Sequence, residues 1–255
     1  MQSPRPLYKL TSRRAFSLVE ILVTTAIMGV LAALLMSGLK GATNKGKEAK
    51  CVSNLRQIGT GLMTYAAENN GDLPWASVKP DSDLGISLGL GGHYMWSKQL
   101  GPYLPQRGSG TSLTAQQNEV FVCPAAKYKG YGSKTISSTY NSSSTFFYFN
   151  SASSLGVANA DIDTPKRKLI NVENPTKTIL VAEGKQNGTE AACSSSVRWD
   201  QALADFQAST SEATTFFDYR HDNRMNVAYA DGHVGTQDFK NRGDITRAMW
   251  EGRNY

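Results

Sequence analysis

The chain has 255 residues, of which 40% are hydrophobic and 19% are charged. This composition is typical of an ordered protein with one substantial core or two small ones, and it excludes an intrinsically disordered chain. The formal net charge is +6, but four basic residues and no acidic residue precede Phe16. Removing residues 1–15 lowers the net charge by four, to +2. No basic patch with interleaved aromatic residues remains, so the sequence does not favour a nucleic-acid partner.

From Ile21 to Leu39 the sequence contains no charged residue over 19 positions. As an α-helix this run is ~28 Å long, which is enough to cross the hydrocarbon core of a bilayer. Arg13 and Arg14 precede the apolar run and favour a cytoplasmic N-terminus. The sequence therefore predicts a transmembrane segment over residues 16–40.

Glu20 places one carboxylate at the start of this apolar run. A charge in hydrocarbon costs ~2.5–3.5 kcal/mol on insertion scales, so Glu20 needs a partner or a function. Cleavage between Ala15 and Phe16 would create an amine one helical turn from Glu20, and that amine, from the same chain or a neighbouring one, would neutralise the carboxylate. Alternatively, the Glu20 side chain reaches the membrane interface. The physical argument alone leaves both interpretations open.

The sequence Ala-Phe-Ser-Leu-Val-Glu at 15–20 resembles the cleavage and methylation motif of type IV prepilins and type II secretion pseudopilins. The resemblance implies that prepilin peptidase cleaves after Ala15, that the new amine of Phe16 is methylated, and that Glu20 acts in assembly. This chain departs from the family pattern in one respect, because the residue before the cleaved bond is usually Gly and here it is Ala.

Two export signals compete with this interpretation. The pair Arg13-Arg14 also resembles a twin-arginine signal. A conventional signal peptide would be cleaved near Gly41-Ala42. Both alternatives place Glu20 inside the apolar region, and the apolar run is long for a signal peptide.

Beyond the apolar run, hydrophobic residues recur at steps of three and four, which predicts an amphipathic helix. The sequence Asn-Asn-Gly-Asp-Leu-Pro at 69–74 is a strong stop signal. The predicted organisation is a basic leader over 1–15, one long helix over 16–70 and a globular domain over 71–255. The apolar positions of the second half are Leu55, Ile58, Leu62 and Tyr65.

The remainder of the chain consists of short apolar runs separated by segments rich in Gly, Ser and Thr, which are predicted to be loops. A short helical or irregular piece is predicted over 202–206. Strands are predicted over four short runs: 119–123, 145–149, 168–172 and 178–182.

Asp231-Gly232 predicts a two-residue type I′ turn between strands over 225–229 and 233–237. His221 precedes Asp231 by nine intervening residues. This stretch resembles the H-x9-D-G element found near the C-terminus of a large group of pilin-like bacterial proteins. The Cys-x-x-Asn-Leu-Arg-Gln-Ile sequence that begins at Cys51 resembles the end of the long helix in the same group.

Two histidines and two aspartates around this hairpin are also chemically suitable as metal ligands or catalytic groups. No known zinc spacing and no G-x-S-x-G motif accompanies them. We therefore predict a structural role for the motif residues His221, Asp231 and Gly232, and no catalytic residue or metal ligand is assigned. The four residues considered are His221, His233, Asp222 and Asp231.

The three cysteines are too few for a disulfide scaffold, and an odd number leaves at least one unpaired within the chain. Their spacing does not match a metal site. One disulfide is possible outside the cytoplasm, but the sequence does not identify the pair, and three free or buried thiols fit equally well. The cysteines are Cys51, Cys123 and Cys193.

The resemblance implies an α+β fold, in which a long N-terminal transmembrane helix packs on an antiparallel β-sheet domain. The implied function is that of a pilin-like or pseudopilin subunit in a type II secretion or type IV pilus-like filament. The implied partners are prepilin peptidase, other subunits and membrane lipid. No cofactor is required, and calcium is a candidate by composition alone at two acidic pairs, Asp81/Asp83 and Asp161/Asp163.

The predicted location is the inner membrane, with a single span, a cytoplasmic N-terminus and a periplasmic or otherwise extracytoplasmic domain. The alternative function is that of an exported hydrolase or surface-binding protein that retains an N-terminal anchor. The mature N-terminus distinguishes the two, since a start at Phe16 supports the pilin interpretation and a start after residue 37 supports export.

Overall fold

The structure of the chain is a computed structural model, and it divides into two compact units, residues 1–43 and 44–255. Each unit is described separately below. The residues that the structure describes are 17–74, 77–78, 94–104, 119–127, 138–143, 168–186, 196–197, 199–211, 214 and 216–252.

The first unit contains the apolar part of helix α1, whose full extent is Leu18–Glu68. The segment Leu18–Leu35 is long and apolar enough to cross a membrane. Its large apolar side chains are exposed in the isolated chain. Such a surface is unfavourable in water and suits a lipid environment.

Helix α1 ends where the Asn-Asn-Gly sequence predicted a stop. Asn70 and Gly71 both have left-handed backbone conformations, with φ angles of 54° and 84°. The N–H of Gly71 donates to the carbonyl of Ala66 at 2.8 Å, which satisfies one of the last free carbonyls of the helix.

The second unit is built on a mainly antiparallel five-stranded sheet with the strand order β5-β3-β4-β6-β7. Strand β5 pairs with β3 in parallel, and the other neighbouring pairs are antiparallel. A separate two-stranded sheet pairs β1 with β2. The strands are β1 (Ser77–Val78), β2 (Tyr94–Met95), β3 (Tyr140–Ser143), β4 (Ile179–Glu183), β5 (Ser196–Val197), β6 (Arg224–Tyr229) and β7 (Val234–Asp238).

Short helices connect and cover these strands. Three α-helices follow α1 in the described part of the chain: α2 (Trp96–Leu100), α3 (Trp199–Phe206) and α4 (Arg247–Glu251). The described 3₁₀-helices are Gly101–Tyr103, Glu119–Phe121, Leu169–Asn171 and Phe239–Asp244.

The fold class is confirmed, because a long N-terminal helix precedes a mainly antiparallel sheet and packs on it within the second unit. The predicted strands over 178–182, 225–229 and 233–237 correspond to β4, β6 and β7. Two predicted strands are wrong, because the runs over 119–123 and 168–172 contain the 3₁₀-helices Glu119–Phe121 and Leu169–Asn171 and no strand. The candidate over 145–149 lies outside the described residues.

Among the described residues, the core consists of two apolar clusters. One joins the second half of α1 to the sheet through side chains such as Leu55, Leu62 and Leu180. The other covers β6 with α3 and α4, and it includes Val227, Phe206 and Trp250. Since β6 contributes side chains to both clusters, apolar residues cover it on two faces.

Tight turns lie at both ends of β6. At its start, His221 and Arg224 exchange backbone hydrogen bonds of 3.1 Å in both directions, around Asp222 and Asn223 with φ angles of 53° and 60°. This is the geometry of a two-residue type I′ turn. Short polar side chains such as Asp and Asn tolerate positive φ angles better than most.

The turn at the other end of β6 differs from the prediction. The N–H of Tyr229 donates to the carbonyl of His233, so the loop has three residues, Ala230 to Gly232. Of these three, only Gly232 has a positive φ angle, 86°. The predicted type I′ turn at Asp231-Gly232 is therefore wrong, since such a turn needs positive φ at both positions. A β-turn followed by a left-handed glycine makes the connection instead.

Candidate functional site

The N-terminal end of α1 contains the assembly candidate Glu20. Its Oε2 accepts a hydrogen bond of 2.9 Å from the backbone N–H of Ser17. The Ser17 hydroxyl in turn accepts from the N–H of Val19 at 3.4 Å. This arrangement is close to a capping box, with Ser17 as the N-cap and Glu20 at the third helical position, and it satisfies two N–H groups at the start of the helix. The processing residues Ala15 and Phe16 lie outside the described residues.

A second candidate site lies in the buried centre of the domain. Cys51, on α1, forms a disulfide with Cys123, which follows the 3₁₀-helix Glu119–Phe121, and their Cα atoms are 5.0 Å apart. The sequence left this pairing open. Beside it, the amide of Asn54 donates to the carbonyls of Glu119 and Val122 at 3.3 and 3.1 Å. The third cysteine, Cys193, lies outside the described residues.

His221 lies against this disulfide. Its Nε2 is 3.5 Å from the Sγ of Cys123 and 2.9 Å from Oε1 of Glu183. The other oxygen of Glu183 accepts a hydrogen bond of 2.9 Å from the N–H of Asn226. The side chains of His221 and Glu183 are 2% and 0% exposed. Burying these polar groups is tolerable because both oxygens of Glu183 have hydrogen-bond partners.

The turn at the start of β6 holds His221 in this position. Asp222 in that turn pairs with Lys45 on α1, at an N–O distance of 3.3 Å. Arg224 pairs with Glu48, one turn further along the helix, at 3.0 Å. These contacts connect the turn and the start of β6 to α1, while the His221 side chain enters the core.

The Asp231 end of the motif is a separate structure. The carboxylate of Asp231 accepts hydrogen bonds from the N–H and the ring of His233, at 3.1 and 2.5 Å. Burial alone would raise the pKa of Asp231, but the hydrogen bonds with His233 outweigh this effect and lower the pKa. The His233 ring stacks on Tyr229, with centroids 4.2 Å apart. His221, at the opposite end of β6, is not part of this contact.

The turn that contains Gly232 lies close to α1. A Cβ atom added to Gly59 would be 3.1 Å from the carbonyl oxygen of Gly232. This separation is tighter than an ordinary van der Waals contact, so a residue without a side chain allows the helix and the turn to approach.

The structure therefore does not bring the four hairpin candidates together. Asp222 contacts Lys45, Asp231 contacts His233, and only His221 reaches the core. The group that does converge is Cys51, Cys123, Glu183 and His221, whose potential ligand atoms all lie within 4.8 Å of one another. Sequence reasoning missed Glu183. A carboxylate directly after four apolar residues of a buried strand is a signal for a buried partner.

Comparisons with known proteins support the interpretation of the N-terminal segment. Residues 10–36 match the family described as the prokaryotic N-terminal methylation motif. The type II secretion system core protein G of Klebsiella michiganensis is 37% identical over 59 residues, which are 23% of this chain and 42% of that protein. The protein of the same name from Pectobacterium carotovorum subsp. carotovorum is 38% identical over 58 residues, which are 23% of this chain and 37% of that protein.

The chain thus spans less than half the length of these curated relatives. No solved structure matches the chain significantly. The N-terminal similarity supports a prepilin- or pseudopilin-like protein, and its apolar helix is long enough to anchor such a protein in a membrane.

Proposed function

We propose that this prepilin-like chain is a membrane-anchored, pseudopilin-type subunit of a filament, in a type II secretion system or a type IV pilus-like assembly. The observation that carries the proposal is the continuity between the methylation motif over residues 10–36 and the single helix Leu18–Glu68. In this arrangement the apolar half of the helix enters the membrane and the filament, and residues 44–255 form the domain displayed outside the cytoplasm.

Prepilin peptidase is the proposed processing partner, with cleavage between Ala15 and Phe16 and methylation of the new amine. Before cleavage the Glu20 carboxylate accepts the N–H of Ser17, one residue beyond the cleaved bond. Cleavage places a positively charged amine next to that N–H. The assembly role proposed for Glu20 is to pair with this amine or with that of a neighbouring subunit in low dielectric, where an unpaired charge is costly.

The proposed role of the globular domain is structural rather than catalytic. His221, the histidine of the H-x9-D-G element, contacts Glu183 and the disulfide inside the core. A general base must lie within reach of a substrate proton, and a side chain that is 2% exposed is poorly placed for this. The histidine therefore supports a role in holding the domain together.

Mass spectrometry of the mature N-terminus tests the proposal. The full chain is expressed in bacterial membranes with a prepilin peptidase and then digested. We expect an N-terminal peptide that begins at Phe16 and carries one additional methyl group. Retention of residues 1–15 would contradict the proposal, and a start after residue 37 would favour the exported, anchored alternative.

A pair of leader variants provides the control. Ala15→Leu places a bulky side chain directly before the cleaved bond and should abolish processing. Thr11→Leu makes a similar addition of volume further from that bond and should leave processing intact. Equal processing of both variants would show that the peptidase does not cleave at Ala15.

A further inference from the structure

The geometry points to a redox-controlled zinc site in the globular domain. We propose that reducing the Cys51–Cys123 disulfide creates a four-ligand site for Zn²⁺ from the two thiolates, the Nε2 of His221 and a carboxylate oxygen of Glu183. In the oxidised chain the disulfide crosslinks the domain, and in the reduced chain the bound metal ion crosslinks it instead. This inference does not depend on the proposed function.

The distances between the four side chains suit a zinc ion. The Sγ of Cys123 and the Nε2 of His221 are 3.5 Å apart. Tetrahedral zinc, with Zn–S of about 2.3 Å and Zn–N of about 2.0–2.1 Å, places such a pair about 3.6 Å apart. The Nε2 of His221 is 2.9 Å from Glu183, against about 3.4 Å for nitrogen and oxygen ligands around zinc. The histidine and carboxylate therefore need to separate by only a few tenths of an ångström.

The four donor atoms match the ligand preferences of zinc. Two sulfurs, one imidazole and one carboxylate are all ligands that zinc accepts, and a set of four closes a tetrahedral site. All four residues are buried. Glu183 keeps an outer contact, because its second oxygen accepts the N–H of Asn226. Such outer contacts orient metal ligands and raise metal affinity.

The four ligands belong to four different parts of the domain. Cys51 lies on α1, Cys123 follows a 3₁₀-helix, Glu183 ends β4, and His221 precedes β6. The disulfide joins the first two of these elements. A zinc ion would join all four, so metal binding would replace the covalent connection that reduction removes.

A dithiol can supply the two electrons that reduction of the Cys51–Cys123 disulfide requires. The dithiol loses two electrons and becomes a disulfide, while the bond between Cys51 and Cys123 is replaced by two thiols. Zinc binding then releases two protons, one from each thiol. The proton that joins Nε2 of His221 to Glu183 moves to Nδ1, so that Nε2 binds zinc through its lone pair and the carboxylate oxygen is free to coordinate. Breaking the S–S bond lets the two sulfurs separate to about 3.8 Å, the spacing of two thiolates on tetrahedral zinc.

Metal binding by the full chain in detergent tests the proposal. Cys193→Ser serves as the background, so that the third thiol does not exchange with the pair. Oxidised and dithiol-reduced samples are incubated with Zn²⁺ without oxygen, both folded and during refolding, and then desalted for metal analysis. We expect one zinc per reduced chain and none in the oxidised chain. Absence of zinc from the reduced chain under both conditions would overturn the proposal.

Variants of the two histidines identify the ligands. His221→Gln should lower zinc affinity by more than about 10-fold, since even outer-shell substitutions cost 10–100-fold. His233→Gln, at the half-exposed histidine, should leave it unchanged. Circular dichroism of the oxidised samples checks that both variants are folded. Equal affinity in the two variants would contradict the assignment.

Cobalt substitution gives a readout that needs no variant. Co²⁺ in the reduced chain should show sulfur-to-cobalt charge-transfer absorption and the intense visible bands of tetrahedral coordination. The weak spectrum of octahedral cobalt, without a sulfur band, would show that the metal does not bind at the cysteines.

Discussion

The backbone N–H of Ser17 donates to Oε2 of Glu20 at 2.9 Å. Glu20 therefore has two separable properties, which are its hydrogen-bonding capacity at the start of α1 and its negative charge. A capping box accepts either Glu or Gln at this position. Substitutions at Glu20 can thus remove the charge with or without the helix cap.

Glu20→Gln should abolish filament assembly and keep the helix cap. An amide cannot neutralise the amine of Phe16, so subunit contacts in low dielectric lose a charge partner, at a cost of about 3–5 kcal/mol for a buried pair. Membrane insertion should not weaken, since a carboxylate in the span is itself unfavourable. Chemical crosslinking of membranes measures the outcome. Crosslinked ladders that are the same in wild type, Glu20→Gln and Glu20→Leu would remove the assembly role.

The domain over residues 44–255 should fold without the apolar half of α1. The division between the two units falls after Thr43, and Lys45 contributes ion pairs to Glu48 and Asp222. A chain that begins at Asn44 keeps these contacts and the core residues of α1. Circular dichroism and thermal unfolding should show a soluble, cooperative domain. An insoluble or unfolded product, alongside a folded full chain in detergent, would show that the boundary is wrong.

Gly232→Ala should destabilise the domain by about 1–2 kcal/mol, the cost of a left-handed backbone for a residue with a Cβ atom. The added Cβ would be 3.6 Å from Cγ of Met63, an ordinary contact, so the cost arises in the backbone. Gly243→Ala is the matched control, because its Cβ would have no neighbour within 4 Å and Gly243 has no positive φ angle. Denaturant unfolding compares them, and equal effects would contradict the prediction.

Relative to wild type, Asp218→Asn should be more favourable for stability at pH 7 than at pH 4, although at both pH values it removes the ion pair with Arg220. Burial raises the pKa of Asp218 above 3.8, although Arg220 opposes the shift. A raised pKa in the folded state means that this carboxyl contributes stability below its unfolded pKa and loses it as pH rises through the folded value. Asparagine does not ionise, so the variant does not lose folding stability in this way as the pH rises.

Thermal unfolding at the two pH values measures this difference. Asp244→Asn, at an exposed carboxylate, is the control. A difference between Asp218→Asn and wild type that does not change with pH would contradict the assignment of this pKa shift.

Periodicity was sufficient to predict the elements that bury one continuous face. Of the four predicted apolar positions on α1, Leu55, Ile58 and Leu62 are buried, and Tyr65 is half-buried against the same cluster. Strand β4 was predictable because its first four residues are apolar and two of them, Ile179 and Val181, are β-branched. These patterns depend only on the sequence of the element itself.

The errors occurred where tertiary contacts decided the conformation. The run over 119–123 looks like a strand, but Cys123 is bonded to Cys51 and its N–H donates to Thr139 Oγ1, which favours a tight 3₁₀ turn over a sheet ladder. The run over 168–172 is similar, since the N–H of Leu169 donates to Gly71 rather than to a strand. Local propensity does not contain these distant partners.

The sequence predicted single residues of the candidate site, but not the contacts between them. His221 stood out through its motif, whereas its contacts with Glu183 and with the disulfide come from separate elements. The type I′ geometry expected at Asp231-Gly232 occurs at Asp222-Asn223 instead. Both dipeptides suit positive φ angles, and the hairpin register decides which of them adopts the type I′ turn.

Both ends of β6 are fixed by tight turns. The length of the strand between these turns should therefore be under a stronger constraint than the residue types within it. Side chains on a strand alternate between faces, so inserting or deleting one residue in Arg224–Tyr229 would exchange the sides of everything beyond it. His221 would then lose its alignment with Glu183, or Gly232 its place against Gly59. Related sequences should therefore differ in this hairpin by substitutions only. Insertions should be tolerated only in the loops outside the hairpin.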